Sequence, residues 1–305
     1  MTGDVFIVGA PRSGTTWLQA VLSNHPSFAS PPETEVFLAL GELERQHRLE
    51  HRNSGLTWAI TAADLDDWSA ELWQRVRDGV LAAAPGATRV LEKSPEHARH
   101  LPLIRRLAPD ARFVLLVRNP VDVVRSTVEA GRGWGQEWAS DRVEAAAGRY
   151  RKTMDMALAS VGDDTLVVRY EDLLAGAQHW APLLEFLSIE PDWPLPPLDR
   201  SPTELARFVT PQGIAAEQWR AMVDTKQGFS FHNRGQRVEL TGWERHYVAA
   251  YCSDLMGRFG YEPTGARLSR LDRGRYAVRA VRRHLGPLVR RVARRATRGA
   301  SSVPG

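Results

Sequence analysis

A chain of 305 residues with 43% hydrophobic content is long enough to bury a core as one large α/β domain or two small ones. Its single cysteine, Cys252, excludes an intramolecular disulfide, and no apolar stretch approaches the roughly 20 residues of a membrane span. The net charge of +4 is unevenly spread: twelve arginines against Asp272 put +11 on residues 267–305, leaving a body at −7 in which any anion site has to be built locally.

Val5-Phe6-Ile7-Val8 is a short apolar run of the kind a buried parallel strand shows, and from Thr15 the apolar positions Trp17, Leu18, Val21 and Leu22 recur at helical spacing. The glycine-bounded turn Gly9 to Gly14 lies between them, so the order is strand, loop, helix. The first N–H groups of a helix lack internal partners and attract an anion. Gly9, four residues, Gly14, then Thr15-Thr16 follows the phosphate-loop frame, except that Thr15 stands where a lysine is expected and Arg12 supplies the charge. That missing lysine counts against ATP-driven phosphoryl transfer. An ordinary strand-to-helix turn is the plainer reading.

Pro26, Pro31 and Pro32 predict an irregular crossing, after which Glu33-Thr34-Glu35 opens a helix through Phe37, Leu38, Leu40 and Leu43. Residues 41–88 read as an α-helical insertion with Trp58, Trp68, Leu72, Trp73 and Val76 on one apolar face. Val90-Leu91 is a strand ending in Glu92-Lys93-Ser94-Pro95, followed by a helix carrying Leu101, Leu103, Ile104 and Leu107. The strand 112–118 ends in Arg118, and Asn119-Pro120 opens a helix over 121–129. A glycine- and tryptophan-rich loop at 131–138 contains Trp134 and Trp138, which would suit an acceptor ring or the core. A helix is predicted over 139–160, then a strand at 165–170 and an acidic helix start at Glu171-Asp172. Residues 189–202 are proline-dense loop, 215–224 and 243–259 helical, and 226–240 irregular, with Gly260 ending the last helix. Alternating strands and helices predict a parallel sheet with right-handed crossovers and helices on both faces.

Ligands of such a sheet bind beyond the carboxyl ends of its strands. Arg12 to Thr16, Lys93-Ser94, Arg118-Asn119 and Tyr170 all fall at that edge. Arg118, with Ser126 eight residues later on the following helix, is a candidate second anion anchor. A surface arginine at a strand end is the plainer reading of Arg118 alone.

PRSGTTWL, EKSP, LLVRNPVDVVRS and VVRYEDL, in this order across residues 4–188, resemble the sulfotransferases that use 3′-phosphoadenosine 5′-phosphosulfate (PAPS). The resemblance implies a P-loop-like fold and sulfuryl transfer from PAPS to an alcohol or phenol hydroxyl, with no metal. The acceptor class stays open among saccharide, lipid, peptide tyrosine and small natural product. It implies that Arg12, Ser13, Gly14, Thr15, Thr16 and Trp17 bind the phosphosulfate, and that Arg118 with Ser126 binds the 3′-phosphate. Tyr170 joins that binding set, as does Arg234, since Asn233 to Arg237 with Trp243 loosely resembles a segment that closes over the 3′-phosphate in the family. Arg12 and Lys93 are the candidates to stabilise charge on the bridging oxygen. Cytosolic members place a histidine base two residues after the lysine, where this chain has Pro95. The protein-tyrosine and some bacterial members are more similar, with a glutamate about twenty residues after the loop arginine, which here is Glu33. Capping the next helix is the plainer role for Glu33. Glu35, His97 and His100 rank below it as bases.

Val278, Val281, Leu285, Leu288, Val289 and Val292 share one face of an arginine-rich stretch within 275–296, predicting an amphipathic basic helix that suits an anionic membrane surface, or nucleic acid by counterion release. A solvated tail is the alternative. The expected organisation is a sulfotransferase domain over 1–262, with its helical insertion at 41–88, and a basic tail over 263–305. The start, without a basic leader, predicts a cytoplasmic protein, and the basic tail would make it peripheral to the inner face of the membrane. Two rival functions are a P-loop small-molecule kinase and a non-enzymatic adaptor acting through the tail.

Overall fold

The computed structural model describes residues 3–50, 60–133, 135–200, 202–205, 207, 209 and 238–262. Trp58, Trp134, the helix expected over 215–224, Arg234, Arg237 and the basic tail lie outside the described residues. The described residues divide between Val238 and Glu239 into two compact units.

In the first unit, β1 (Val5–Gly9), β2 (Phe28–Ala29), β3 (Arg89–Glu92), β4 (Arg112–Val117) and β5 (Thr165–Arg169) form one parallel sheet in the order β2-β3-β1-β4-β5. Its helices are α1 (Thr15–Leu22), α2 (Val36–Glu50), α3 (Ala62–Ala82), α4 (Leu101–Leu107), α5 (Pro120–Arg132), α6 (Val143–Leu158), α7 (Tyr170–Ala175), α8 (Ala181–Phe186) and the short α9 (Pro202–Leu205). Central strands are apolar throughout because both faces are covered. Period-two alternation sends Val5 and Ile7 into a core with Trp17, Leu18, Val21, Leu22, Leu173, Trp180 and Leu183. On the opposite face Phe6 meets Phe37 and Trp73, each at 5.5 Å between ring centroids, and Phe113 at 5.7 Å.

The helical stretch is therefore part of the main core. Trp73 is 2% exposed, while Trp68 and Leu72 are 55% and 45% exposed, correcting the expected apolar face. The buried row of α3 is Leu65, Ser69 and Trp73, four residues apart, and Trp68 and Leu72 lie one position off it. Asp4, buried beneath the first strand, fixes α3 by accepting from Arg77 Nε at 2.8 Å and from the Val90 N–H at 2.9 Å. Trp73→Ala is expected to destabilise the fold by about 3–5 kcal/mol, read from urea unfolding. The expected irregular crossing contains β2, too short for periodicity to reveal, and α2 begins at Val36 rather than Glu33.

In the second unit α10 (Gly242–Tyr251) opens on a Thr241/Glu244 capping box. α11 (Ser253–Arg258) follows after Cys252, which is buried at the break, so the expected continuous helix 243–259 is two. Gly260 adopts φ 65 after α11. Among the described residues no helix is long and apolar enough to cross a membrane.

Candidate functional site

The strand order explains where the site forms. The chain leaves β1 toward the β2/β3 side and β4 toward the β5 side, which makes the β1/β4 boundary the topological switch point. Register pairs Gly9 with Leu116 and Val117 with Arg169, bringing the residues just beyond them to one edge: Arg12, Arg118 and Tyr170.

Two residues of the β1–α1 loop are left-handed, Arg12 at φ 74 and Gly14 at φ 101. A non-glycine residue held at positive φ is uncommon and persists only where the surrounding structure enforces it. Gly14 is the N-cap of α1 and brings no side chain to its N–H groups, so these face the loop. A Cβ on Gly14 would lie 2.5 Å from the Tyr170 ring. Gly14→Ala is expected to lower stability by about 1–3 kcal/mol through that clash and the positive φ, measured by chemical denaturation.

Arg12 Nε donates to Ser126 Oγ at 3.0 Å, and Arg118 Nη1 donates to the Arg12 carbonyl at 3.3 Å. The Arg118 guanidinium lies over the Tyr170 ring, 4.4 Å from its centroid. Tyr150 donates from its hydroxyl to the Arg118 carbonyl at 3.1 Å, and Glu171 accepts from the Asn119 N–H at 2.9 Å, which fixes the β4–α5 connection. Burial, and then the neighbouring charge of Arg118, push the Arg12 guanidinium down to about 10, against a smaller opposing pull from Glu129. It remains a cation at neutral pH, so two crowded positive charges share this edge. Ser13 Oγ and Arg118 Nε are buried and have no hydrogen-bond partner among the described residues. Open donors, a helix N-terminus and two arginines fit a ligand carrying closely spaced anionic groups.

The second half of the site lies beyond β3. Lys93, 2% exposed, forms an ion pair with Glu33, whose side chain is 36% exposed. A buried ammonium requires such a partner, and Glu33 supplies it from the turn before α2. Thr34, not Glu33, meets the first turn of α2, since the Val36 N–H donates to Thr34 Oγ1 at 3.5 Å. The helix-capping role is thereby removed from Glu33.

Of the expected site residues, Arg12, Ser13, Gly14, Thr15, Thr16 and Trp17 lie on the loop and the first turn of α1, with Arg118, Ser126 and Tyr170 around them. Trp17 is buried edge-on to Tyr170 at 5.3 Å, and its indole N–H donates to the Leu198 carbonyl at 3.3 Å. Its side chain therefore belongs to the floor of the site. Ser126 bonds to Arg12, so the two expected anchors are one cluster. Lys93 and Glu33 form a separate pair. Trp138 is half-buried in its loop. His97 is corrected: it is fully buried between Phe6 and Phe37, its Nδ1 hydrogen-bonded to Glu92. His100 is part-buried, and burial, then His97 and Arg99, lower its proton affinity. Tyr150 and Glu171 reach backbone groups of the β4–α5 connection, and of the two only Glu171 falls within a quoted motif, VVRYEDL.

Residues 4–194 match the family described as the sulfotransferase family, well over half of the chain. Among curated relatives, nodulation protein NoeE of Sinorhizobium fredii is 33% identical over 145 residues, covering 45% of this chain and 33% of its own length. Protein-tyrosine sulfotransferase 1 of Danio rerio is 27% identical over 195 residues, covering 61% of this chain and 53% of its own. The chain thus spans about a third to a half of the length of these relatives. A sulfotransferase domain from the curacin biosynthetic pathway has the same fold, with a TM-score of 0.50 at 18% identity, over 86% of this chain and 99% of that one.

Proposed function

Because the chain belongs to the sulfotransferase family, we propose that it moves the sulfuryl group of PAPS to the hydroxyl of an acceptor. The observation that carries this reading is the cluster of Arg12, Ser126, Arg118 and Tyr170 around the N-terminus of α1, two cations at a topological switch point with the open donors of Ser13 and Arg118 beside them. PAPS brings a phosphosulfate and a separate phosphate, and the loop from Arg12 to Trp17 with Arg118, Ser126 and Tyr170 would hold them. Arg234, in the expected closing segment, belongs to the same proposal.

Thr15 in place of the phosphate-loop lysine removes the group a kinase sets on its transferring phosphates, which disfavours the kinase alternative. Sulfuryl groups carry less charge than phosphoryl groups, so arginines, hydroxyls and backbone N–H groups suffice without magnesium. Arg12 and Lys93 stabilise the oxygen of the departing nucleotide. Glu33 takes the acceptor proton on its carboxylate, and its ion pair with Lys93 aims it at the sheet edge. Histidine base chemistry is disfavoured by Pro95 at the matching position and by the burial of His97.

The acceptor class we infer is a hydroxyl, and the names of the protein-tyrosine relatives favour including a phenol among the first probes. Incubation with PAPS radiolabelled on its sulfuryl group and a panel of phenols, saccharides and lipid alcohols is expected to give a labelled sulfate ester of at least one; label released only to water across all classes contradicts the reading. Binding should also stabilise the chain by mass action, about 2.7 kcal/mol at a hundred times the dissociation constant. A thermal scan with and without adenosine 3′,5′-bisphosphate (PAP) reads that as a rise in Tm. The basic stretch 267–305 is proposed to rest on anionic membrane. Flotation with anionic vesicles should be lost when it is deleted, and unchanged flotation contradicts this.

A further inference from the structure

One buried charge on the active edge is unused by the chemistry above. Glu92 closes β3, directly before Lys93, and is fully buried. Its Oε1 accepts from the Thr34 N–H at 3.3 Å, from Thr34 Oγ1 at 3.1 Å and from Ser94 Oγ at 2.7 Å. Its Oε2 accepts from His97 Nδ1 at 2.8 Å. The Ser94 hydroxyl, its proton committed to Glu92, accepts in turn from the Glu35 N–H at 3.3 Å. Both neighbours of Glu33 are thus tied to the end of β3, Thr34 directly and Glu35 through Ser94. Glu35 holds a left-handed φ of 52, which marks the turn as one whose shape is enforced by its contacts.

Four donors converging on one carboxyl favour the carboxylate, since a protonated oxygen would set its own O–H against one of them. Burial opposes that charge, but His97 and the donors of Ser94 and Thr34 outweigh it and hold Glu92 below the usual carboxylate range. His97 Nε2 has no hydrogen-bond partner among the described residues, which favours the tautomer carrying its proton on Nδ1, toward Glu92. A buried ionic group is a poor way to gain stability, because well-packed apolar residues serve as well or better. What it supplies is a fixed geometry.

We propose that Glu92 is a positioning residue for sulfuryl transfer, holding the Glu33-Thr34-Glu35 turn so that the Glu33 carboxylate meets Lys93 at the sheet edge, a role that rests on Glu33 being the base. A glutamine at this position cannot serve both sides. Its NH2 group faces either the Thr34 and Ser94 donors or the His97 N–H, and shifting the His97 tautomer would put an unpartnered N–H into the aromatic core.

The test uses the full chain, PAPS as donor and para-nitrophenol as acceptor, with kcat, KM for PAPS and calorimetric PAP affinity measured for each variant. Glu92→Gln is expected to lower kcat on the order of 10²-fold, the scale of a misplacement of about 1 Å, with PAP affinity unchanged. Thr34→Val, which leaves the buried pair intact, should lower kcat about tenfold. Combining Glu92→Gln with Glu33→Gln should be no slower than Glu33→Gln alone, because Glu92 acts through Glu33. A purely structural Glu92 would lower PAP affinity along with kcat, and its loss would multiply with that of Glu33→Gln; either result overturns the proposal. A slow Glu33→Gln beside wild-type kcat in both Glu92→Gln and Thr34→Val overturns the role of Glu92 alone. Wild-type kcat in Glu33→Gln overturns the base assignment and this proposal with it. Should Glu92→Gln not fold, Thr34→Val and its combination with Glu33→Gln decide the question.

Discussion

Replacing Arg12 by alanine is expected to weaken PAP binding by about 10²-fold while leaving the fold intact. Arg12 is the one side-chain cation inside the loop, and its Nε is directed to Ser126 on a helix more than a hundred residues away in sequence. A hydrogen bond to a charged group contributes about 1.5–3 kcal/mol, so losing one or two of them gives the stated factor. Burial and the Arg118 charge lower its proton affinity, so a ligand that brings negative charge between the two guanidinium groups is favoured. Arg118→Ala should weaken binding comparably, and the double variant should lose less than the two losses multiplied, because Arg118 donates to the Arg12 backbone within the same cluster. Lysine at position 12 is not a substitute, since a point charge lacks the planar fork that reaches Ser126 and a ligand oxygen together. Calorimetry against PAP, with the Tm as a control on folding, measures all four. Affinities within threefold of wild type would remove Arg12 from the binding machinery.

Glu33→Gln is expected to lower kcat by about 10²- to 10⁴-fold, the range of a lost general base, with PAP affinity nearly unchanged. The separation follows from the layout. Glu33 and Lys93 stand beyond β3, and the arginine cluster stands between β1 and β4. Glutamine keeps an oxygen for the buried Lys93 ammonium, so the variant removes the proton acceptor while preserving the ion's solvation. Lys93→Met, by contrast, should reduce kcat because it removes both the ammonium that pairs with Glu33 and the cation proposed for the departing oxygen. Rate profiles against pH for the two variants distinguish a proton acceptor from a residue that only pairs.

Much of the fold was legible because its cues are local. The apolar runs at Val5 and Phe113 are long enough to declare buried strands, and the glycines flanking Arg12 mark a turn that neither strand nor helix can absorb. β2 was not legible: two residues make no period, and Phe28-Ala29 becomes a strand only by pairing with Arg89 and Val90. The face of α3 was misread at Trp68 and Leu72 because large apolar residues on both sides of a helix leave its phase undetermined until Phe6 and Phe37 select Trp73. Within the site, the spacing of Arg118 and Ser126 pointed to a shared anion, yet only the sheet register brings Arg12 between them. Glu92 illustrates the limit most clearly. Its sequence neighbour Lys93 attracts attention, while its partners Thr34 and Glu35 lie nearly sixty residues away and bond partly through backbone N–H groups that no sequence pattern displays.

The central claim is that the β1–α1 loop and its arginines hold a phosphosulfate nucleotide without a metal. Calorimetric titration of the wild-type chain with PAP in the presence of a chelator tests it most directly. One site per chain, lost together with Arg12 and Arg118, is the predicted result. No heat with PAP, alongside tight binding of ATP that depends on magnesium, would contradict it.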